Sequence, residues 1–353
     1  MSRQDASERP ASDPILVRAL RGLETPRRPL WIMRQAGRYL PEYRALKREH
    51  SFLELAGDPA LATEVTLMPL RRFRLDAAIV FADIMSPIAA LGIDVRFAPG
   101  PVIEEPLRTL AQVEALPRPE PESVAPEVVE TLARVRAELP PEVATIGFAG
   151  APMTLAAYLI QGHGKSDFNR LRALAAAEPR TFSLLLEKLA QLVAGFLRRQ
   201  IEEGGAQAVQ IFESWAGLLS AADWRRLVYP PLRDLLAEVG RSRAPRVLFM
   251  NHAGPALETA LAMSPEELPY EALAVDWRLD LGALRRRLGD VRALQGNLDP
   301  ATLLAGPDVV RQAAAKLLAS VPARGHVVNL GHGIQPEAPI ESVEALVDAV
   351  RSE

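Results

Sequence analysis

Two arginines near the amino terminus, Arg34 and Arg38, are the residues whose type and spacing most directly indicate chemistry. Gly37 lies between them and lets the backbone turn tightly or approach a ligand closely. A guanidinium group is a planar fork of N–H donors that matches a carboxylate or a phosphate, so two such groups four residues apart indicate an anion site. The alternative at this point is a solvated basic turn that pairs with Glu42.

Arg34 directly follows Leu30–Met33, an apolar segment with the length of a buried strand. Seven more segments of this kind occur along the chain: Ala77–Ala82, Val143–Phe148, Ala208–Phe212, Arg246–Met250, Ala272–Val275, Val291–Gln295 and His326–Leu330. Longer amphipathic stretches such as Phe182–Arg199 and Val309–Ala319 separate them, which is typical of an α/β protein with a parallel sheet. Eight segments predict a (β/α)8 barrel of the TIM type, with a doubly wound open sheet as the competing architecture.

The position of the polar residues favours the barrel over the open sheet. Nearly every predicted strand is followed at once by a residue suited to binding or catalysis: Arg34, Asp83, Gly150, Ser214, Asn251, His252, Asp276, Asn297 and His332. In a barrel, all strands end on the same face, so side chains from distant positions share one site, whereas an open sheet spreads them along an edge. We therefore predict an active site at the carboxyl ends of the strands.

Length and composition predict one catalytic domain over residues 15–353, preceded by a disordered tail at 1–14. The chain has 353 residues and no cysteine, which excludes disulfides, thiolate nucleophiles and cysteine-ligated metal sites. The first residues lack an apolar core, and no apolar run reaches the length of a membrane span, so we expect a cytoplasmic protein without membrane contact. A net charge of -3 also disfavours a nucleic-acid partner.

Four further residues each allow a structural and a functional interpretation. Asp83 ends an apolar strand and either caps the next helix or accepts N–H groups from a ligand. Tyr158 is either a core residue or a ligand contact, and Ser214 either caps a helix or binds a carboxylate. His332 stands between two glycines, which argues against tight core packing, and the five histidines show no paired spacing for a metal.

The segment from Trp31 to Arg44, WIMRQAGRYLPEYR, closely resembles the amino-terminal signature of the uroporphyrinogen decarboxylase family. Further matches lie at Ala77–Ile84, Ile146–Gly162, Val209–Gly217 and Val327–Ile334, so the resemblance runs from Pro29 to Pro336. It implies a cytoplasmic homodimeric enzyme of porphyrin and heme biosynthesis that needs no cofactor or metal. Its substrate would be uroporphyrinogen III, whose four acetate side chains become methyl groups to give coproporphyrinogen III.

The resemblance also implies a role for individual residues. Asp83 and Arg34 would be catalytic, Asp83 by accepting from the pyrrole N–H groups and by stabilising the cation that forms on the ring. The implied substrate-binding residues are Arg34, Gln35, Ala36, Gly37, Arg38, Asp83, Tyr158, Ser214 and His332.

Two other function classes remain open from the sequence. A corrinoid or thiol methyltransferase is similar to this family, but it uses a zinc site with cysteine ligands that this chain does not supply. A tetrapyrrole-binding protein without catalysis would use the same barrel.

Overall fold

The computed structural model describes residues 13–97, 100–164, 167–252 and 254–353. The predicted disordered tail, 1–14, therefore lies outside the described residues except for its last two positions. Among the described residues, no helix combines the length and the apolar character needed to cross a membrane.

Seven parallel strands form one curled sheet in the order β1-β4-β5-β6-β7-β8-β9, and β2 pairs with β3 in a separate antiparallel hairpin. The strand bounds are β1 Ala77–Ile79, β2 Arg96–Phe97, β3 Pro101–Val102, β4 Ala144–Gly150, β5 Ala208–Glu213, β6 Arg246–Met250, β7 Ala272–Val275, β8 Ala293–Gln295 and β9 His326–Val327. The seven sheet strands coincide with the last seven apolar segments predicted from the sequence, with bounds shifted by a few residues.

Leu30 closes the barrel between the first and last strands of the sheet. It forms an isolated parallel bridge with Val328, just after β9. Its carbonyl oxygen also accepts a hydrogen bond of 2.9 Å from the amide of Asp76, just before β1. The predicted α/β barrel is therefore confirmed, but the prediction of a regular strand over Leu30–Met33 is wrong.

Side chains replace the missing strand ladder along this closing segment. The Asp76 carboxylate accepts from the Leu30 amide at 2.8 Å, and the Asn329 side chain accepts from the Met33 amide at 2.9 Å. Gln35 accepts from the Ile32 amide at 2.9 Å and donates to the carbonyl of Ala77 at 2.8 Å. Because buried backbone groups need partners, these side chains keep the segment extended without a regular ladder.

Helices surround the sheet. The α-helices are α1 Ile15–Leu20, α2 Pro41–Glu49, α3 Phe52–Gly57, α4 Pro59–Arg72, α5 Leu110–Glu114, α6 Pro126–Glu138, α7 Pro152–Gln161, α8 Asn169–Ala177, α9 Pro179–Glu202, α10 Ala221–Asp223, α11 Tyr229–Val239, α12 Gly254–Leu261, α13 Leu281–Leu288, α14 Pro307–Ser320 and α15 Ile340–Arg351. The two predicted helical stretches lie within α9 and α14.

Helix α9 shows why these stretches fold as they do. It begins at Pro179, and its buried Leu185, Leu189, Leu192 and Phe196 recur every three or four residues, which makes one apolar face. That face packs on α7, α11 and the sheet.

A short polar chain crosses the barrel interior. The indole N–H of Trp31 donates to Gln295 at 3.0 Å, and the Gln295 amide donates to Gln210 at 2.8 Å. All three side chains are buried. The chain links the closing segment to β8 and β5 and so fixes the loop that carries Arg34.

Candidate active site

The backbone turns sharply where the closing segment ends. Arg34 has a φ of 65°, which is uncommon for a residue with a side chain, and Gly37 has a φ of 127°. Gly333 passes directly over Arg34, because a Cβ atom built on this glycine would lie 2.4 Å from the Arg34 Cδ. The amide of Ile334 donates to the carbonyl of Met33 at 2.9 Å and joins the two loops. Arg34 is thus directed by a second loop from the opposite end of the chain.

Arg34 and Arg38 are both exposed, and neither guanidinium group donates a hydrogen bond or forms an ion pair within the described part of the chain. Glu42, the alternative partner, instead pairs with Arg72 on α4. Although part of the Arg34 side chain reaches solvent, the surrounding protein removes water from its guanidinium group and so lowers the pKa of Arg34; the charge of Arg38 lowers it further, while Asp83 and Tyr158 act in the opposite direction. The two arginines therefore hold concentrated positive charge with donors free for an anion.

Asp83 forms the turn that precedes a short helix, and its carboxyl group also faces the two arginines. Its Oδ1 accepts from the Met85 amide at 2.9 Å, and its carbonyl oxygen accepts from the Ser86 amide at 3.1 Å, so it organises the turn into a 3-10 helix, Ser86–Leu91. Its half-buried carboxyl also lies within the influence of both arginines. Burial raises the pKa of Asp83, whereas the Met85 amide, Arg34 and Arg38 lower it.

Tyr158 and Ser214 come from neighbouring units of the barrel. Tyr158 lies on α7, and its ring meets that of Trp215 edge to face at 6.4 Å. Burial is the largest cause that raises the pKa of Tyr158, with Asp83 acting in the same direction and Arg34 against it. Ser214 follows β5, is half-buried, and donates its amide to the Thr154 hydroxyl at 2.8 Å.

His332 lies on the loop after β9, next to Phe249, with ring centroids 6.4 Å apart. A Cβ on the preceding Gly331 would lie 2.3 Å from the amide nitrogen of Trp277, so this loop needs a glycine for steric reasons. Burial lowers the pKa of His332 to about 4, and the nearby Arg34, His252 and Arg38 add to the effect. The imidazole is therefore neutral at pH 7 and offers one donor and one acceptor.

These groups follow the carboxyl ends of parallel strands and therefore lie on one face of the barrel. The charge of Arg34 acts on Asp83, Tyr158 and His332, which follow β1, lie on α7 and follow β9. The predicted convergence at the carboxyl ends of the strands is thereby observed for these groups. Ser214 joins them through its contact with Thr154, on the same helix as Tyr158.

Gln35, Ala36 and Gly37 occupy different positions from the arginines that flank them. Both polar atoms of the buried Gln35 side chain bond to backbone groups, as described for the closing segment. Ala36 is half-buried, and a Cβ on Gly37 would lie 3.7 Å from the Tyr43 ring. The side chain of Gln35 therefore orients the loop from beneath.

Two further groups lie beside the site: Glu213 was not recognised from the sequence, and His252 was among the polar residues at strand ends but had no assigned role. Glu213 is a completely buried carboxyl group next to Ser214, and burial raises its pKa to about 8. His252 has a φ of 49°, and its amide donates to Asp276 at 2.9 Å. A polar residue at a strand end was the available signal for both. Asn297 donates to the Asp276 carbonyl oxygen at 2.9 Å, so these two strand-end residues stabilise the loops at this face of the barrel.

The site offers anion donors, a carboxylate and neutral hydrogen-bonding groups. No group of three or more histidine, cysteine, aspartate or glutamate side chains is arranged to hold a metal ion among the residues that the structure describes. The arrangement suits a ligand that carries several carboxylates around N–H donors.

Comparison with known proteins gives a consistent family. A sequence model of the uroporphyrinogen decarboxylase (URO-D) family matches residues 11–353. The uroporphyrinogen decarboxylase of Alkalilimnicola ehrlichii is 46% identical over 343 residues, which cover 95% of this chain and 92% of the relative. That of Syntrophotalea carbinolica is 43% identical over 335 residues, covering 95% and 96%.

Among solved structures, a methyltransferase from Methanosarcina mazei superposes with a TM-score of 0.81 over 96% of this chain and 97% of that one. Its 20% sequence identity supports the shared fold alone. The family model and the curated relatives cover nearly the whole chain, including every site residue described above. The chain therefore belongs to the uroporphyrinogen decarboxylase family of decarboxylating enzymes.

Proposed function

We propose that this chain converts uroporphyrinogen III to coproporphyrinogen III by removing the four acetate carboxyl groups as carbon dioxide. The observation that carries the proposal is the single carboxyl of Asp83 beside two arginines whose donors are unused within the described residues. A porphyrinogen offers the complementary groups, since pyrrole N–H donors lie at its centre and carboxylates at its rim. We also propose that the protein acts in the cytoplasm and that two copies of the chain form a homodimer.

Arg34 and Arg38 bind substrate carboxylates in this proposal, through charge-assisted hydrogen bonds. Tyr158, Ser214 and His332 bind further carboxylates at the rim of the macrocycle. The neutral state of His332 at pH 7 makes its N–H a donor without adding charge. Gln35, Ala36 and Gly37 shape the loop between the arginines.

Asp83 accepts from the pyrrole N–H groups at the centre of the macrocycle. Burial alone favours its protonated form, but bound N–H donors would replace the water that burial removes. The positive charges of Arg34 and Arg38 also favour the ionised form of Asp83. An ionised Asp83 then stabilises positive charge on the ring as that charge forms.

Decarboxylation needs a place for the electron pair of the bond that breaks. Protonation of a pyrrole at a ring carbon makes an iminium-like group next to the acetate side chain. The bond between the acetate methylene and its carboxylate then breaks, carbon dioxide leaves, and the electron pair moves into the ring. A proton added to the exocyclic methylene carbon gives the methyl group, and loss of the first proton restores the pyrrole. The substrate itself thus supplies the electron sink.

The protein contributes positioning, proton transfer and electrostatic stabilisation. In this proposal Arg34 binds a carboxylate beside the reacting group, where it is also a candidate for proton delivery. No step of this scheme requires a metal or an organic cofactor.

Incubation with uroporphyrinogen III under reducing, anaerobic conditions tests the proposal. We expect carbon dioxide release and chromatographic conversion through partly decarboxylated species to the tetracarboxylate product. Tight binding without carbon dioxide release would instead identify a tetrapyrrole-binding protein. Stoichiometric zinc with methyl transfer to a thiol would identify a methyltransferase. Either result would overturn the proposal.

A further inference from the structure

Glu213 is a buried acid at the edge of the site that has no part in the scheme above. It is the last residue of β5, its exposed fraction is 0%, and it directly precedes Ser214. Its Oε1 accepts from the Thr154 hydroxyl at 3.0 Å, while its Oε2 is buried without a hydrogen-bond partner among the described residues. A carboxyl group in such a place carries a large desolvation cost when ionised, so its presence calls for a reason.

Thr154 links this acid to the substrate-binding side of the barrel. Its hydroxyl donates to Glu213 and at the same time accepts from the amide of Ser214 at 2.8 Å. Because a hydroxyl has only one proton, the bond to Glu213 turns the oxygen lone pairs toward the Ser214 amide. The orientation of the threonine thus depends on the acid.

The same threonine fixes the helix that carries Tyr158. Thr154 and Tyr158 are four residues apart on α7 and therefore lie on the same helix face. The amide of Ala151, which precedes α7, donates to the carbonyl oxygen of Phe212 at 3.0 Å. One backbone bond and one side-chain bridge therefore join the start of α7 to the end of β5.

We propose that Glu213 is a positioning residue that acts through Thr154 to hold Tyr158 and Ser214 in register with each other at the rim of the substrate. This role rests on the proposed function, in which Tyr158 and Ser214 bind carboxylates of the substrate. Only the protonated form of Glu213 holds Thr154 without placing an unpaired charge in the core.

The surroundings of Glu213 fit a neutral acid. Burial is the main cause that raises its pKa to about 8, opposed only by Thr154 and the amide of Trp215. From α7, Thr154 contacts the carboxyl group, and Tyr158, one turn further along the helix, is kept neutral by its raised pKa. From the residue after β6, the backbone amide of Asn251 donates to the carbonyl oxygen of Glu213 at 3.2 Å. No charged side chain in the described residues contributes to the shift.

The pH dependence of wild-type turnover is the first test. As pH rises through about 8, Glu213 ionises, and although the Thr154 hydroxyl still donates to it, the charge is left without water; the buried end of β5 should then rearrange to hydrate it, so kcat/KM should fall with that apparent pKa. Glu213→Gln keeps an acceptor for Thr154 but does not ionise, so this alkaline fall should be absent from its profile. Infrared difference spectra between wild type and this variant should show a protonated carboxyl band at pH 7 that disappears above pH 8.

The threonine provides a matched pair of variants. Thr154→Val keeps the shape but removes the bridge, and we expect kcat/KM to fall about tenfold, the usual effect of one lost hydrogen bond. Thr154→Ser retains the hydroxyl and should recover most of the loss. Thermal melting checks that each variant is folded, and the wild-type pH profile needs no variant.

The outcomes separate the two proposals. A wild-type protein that releases no carbon dioxide at any pH overturns the proposed function, and the positioning role falls with it. An active wild type whose rate is constant across pH 8, or a Thr154→Val variant equal to Thr154→Ser, overturns the positioning role alone.

Discussion

Arginines lie at both ends of this barrel, but they have opposite environments. At the amino end of the strands, Arg285 donates to the carbonyl oxygens of Gly289, Arg292 and Gly325 at 2.7–2.9 Å. At the carboxyl end, Arg34 and Arg38 have exposed guanidinium groups that donate to no protein group in the described residues. One residue type thus performs two tasks in one fold.

The amino-end arginines act as internal donors for strand and loop carbonyls. Arg292 is 3% exposed, donates to the carbonyl oxygens of Leu268 and Tyr270, and stacks on the Tyr270 ring with its guanidinium carbon 3.6 Å from the centroid. Asp76 binds Arg27 through two hydrogen bonds and also pairs with Arg351. These contacts join the carboxyl-terminal helix α15 to the closing segment.

The comparison teaches that the exposure and the hydrogen bonding of the guanidinium groups, and not charge alone, distinguish the functional end from the stabilising end. A buried guanidinium group that donates to backbone carbonyl oxygens stabilises the fold, whereas an exposed one with free donors is available for a ligand. This agrees with the general division of barrel enzymes into a catalytic carboxyl face and a stabilising amino face.

The largest effect is expected for Asp83→Asn at the carboxyl end. Asparagine still accepts from pyrrole N–H groups, but its neutral side chain does not balance the ring cation, and its NH₂ group adds donors. Turnover should fall by on the order of 10² to 10³-fold, while binding of a substrate analogue is weakened less. Single-turnover kinetics and calorimetry measure the two quantities. Near wild-type turnover in a folded, binding variant would leave Asp83 only with its role in forming the turn at Met85.

Arg292→Ala should destabilise the amino end of the barrel without a specific effect on the active site at the carboxyl end. Removal of the guanidinium group leaves two buried carbonyl oxygens without their donor, so the free energy of unfolding should fall by about 2–5 kcal/mol. Denaturant unfolding measures the loss. Arg286→Ala, an exposed neighbour on α13, is the matched control and should change stability by less than about 0.5 kcal/mol. Equal stabilities of the two variants would contradict the structural role.

Arg38→Ala should show the opposite result, with weaker substrate binding and little change in stability. Loss of a charge-assisted hydrogen bond should weaken substrate binding by about 10-fold to 100-fold, because such bonds contribute roughly 1.5–3 kcal/mol. The melting temperature should stay close to that of wild type, since Arg38 has no partner to lose within the described residues. Arg48→Ala, an exposed change on α2, controls for a general loss of positive charge. Unchanged affinity in Arg38→Ala would remove this residue from the binding site.

The two ends should also respond to pH in opposite directions. Glu213 keeps its proton in the folded state up to about pH 8, whereas it ionises in the unfolded chain at its ordinary, lower pKa, so its contribution to stability falls as pH rises across this interval. Buried His326, whose Nε2 lies 2.9 Å from the Gly296 carbonyl oxygen, has a pKa lowered to about 4. The unfolded chain binds that proton first on acidification, so stability falls between about pH 6.5 and 4.

Substitutions that remove the ionisable group isolate the contribution of Glu213 or of His326 to the pH dependence of stability. Glu213→Gln should flatten the alkaline side of the stability profile, and His326→Gln should flatten the acidic side. Unfolding measured from pH 4 to pH 9 provides the comparison. A profile that either variant leaves unaltered would mean that the corresponding group does not titrate as described.

The smallest effect is expected from metal removal. The chain has no cysteine, and the described residues contain no metal-type cluster at either end. Exhaustive chelation should therefore leave the rate of decarboxylation unchanged, as measured by product chromatography. Activity lost on chelation and restored by zinc would contradict the cofactor-free scheme.

The sequence by itself determined the periodic architecture and the positions of the candidate groups. Apolar segments separated by amphipathic stretches placed seven strands correctly, because burial on both faces leaves a local pattern in the chain. Arg34, Asp83 and His332 were recognised because each directly follows such a segment.

The tertiary structure alone decided how those groups are used. Leu30–Met33 reads as a strand, but Gln35, Asp76 and Asn329 take its hydrogen bonds, and two of these three partners are distant in sequence. Glu213 reads as an ordinary carboxylate, yet the helix and strands around it remove it from water and keep its proton. The burial of a side chain and the identity of its hydrogen-bond partners depend on residues brought together from across the chain, so no local sequence pattern encodes them.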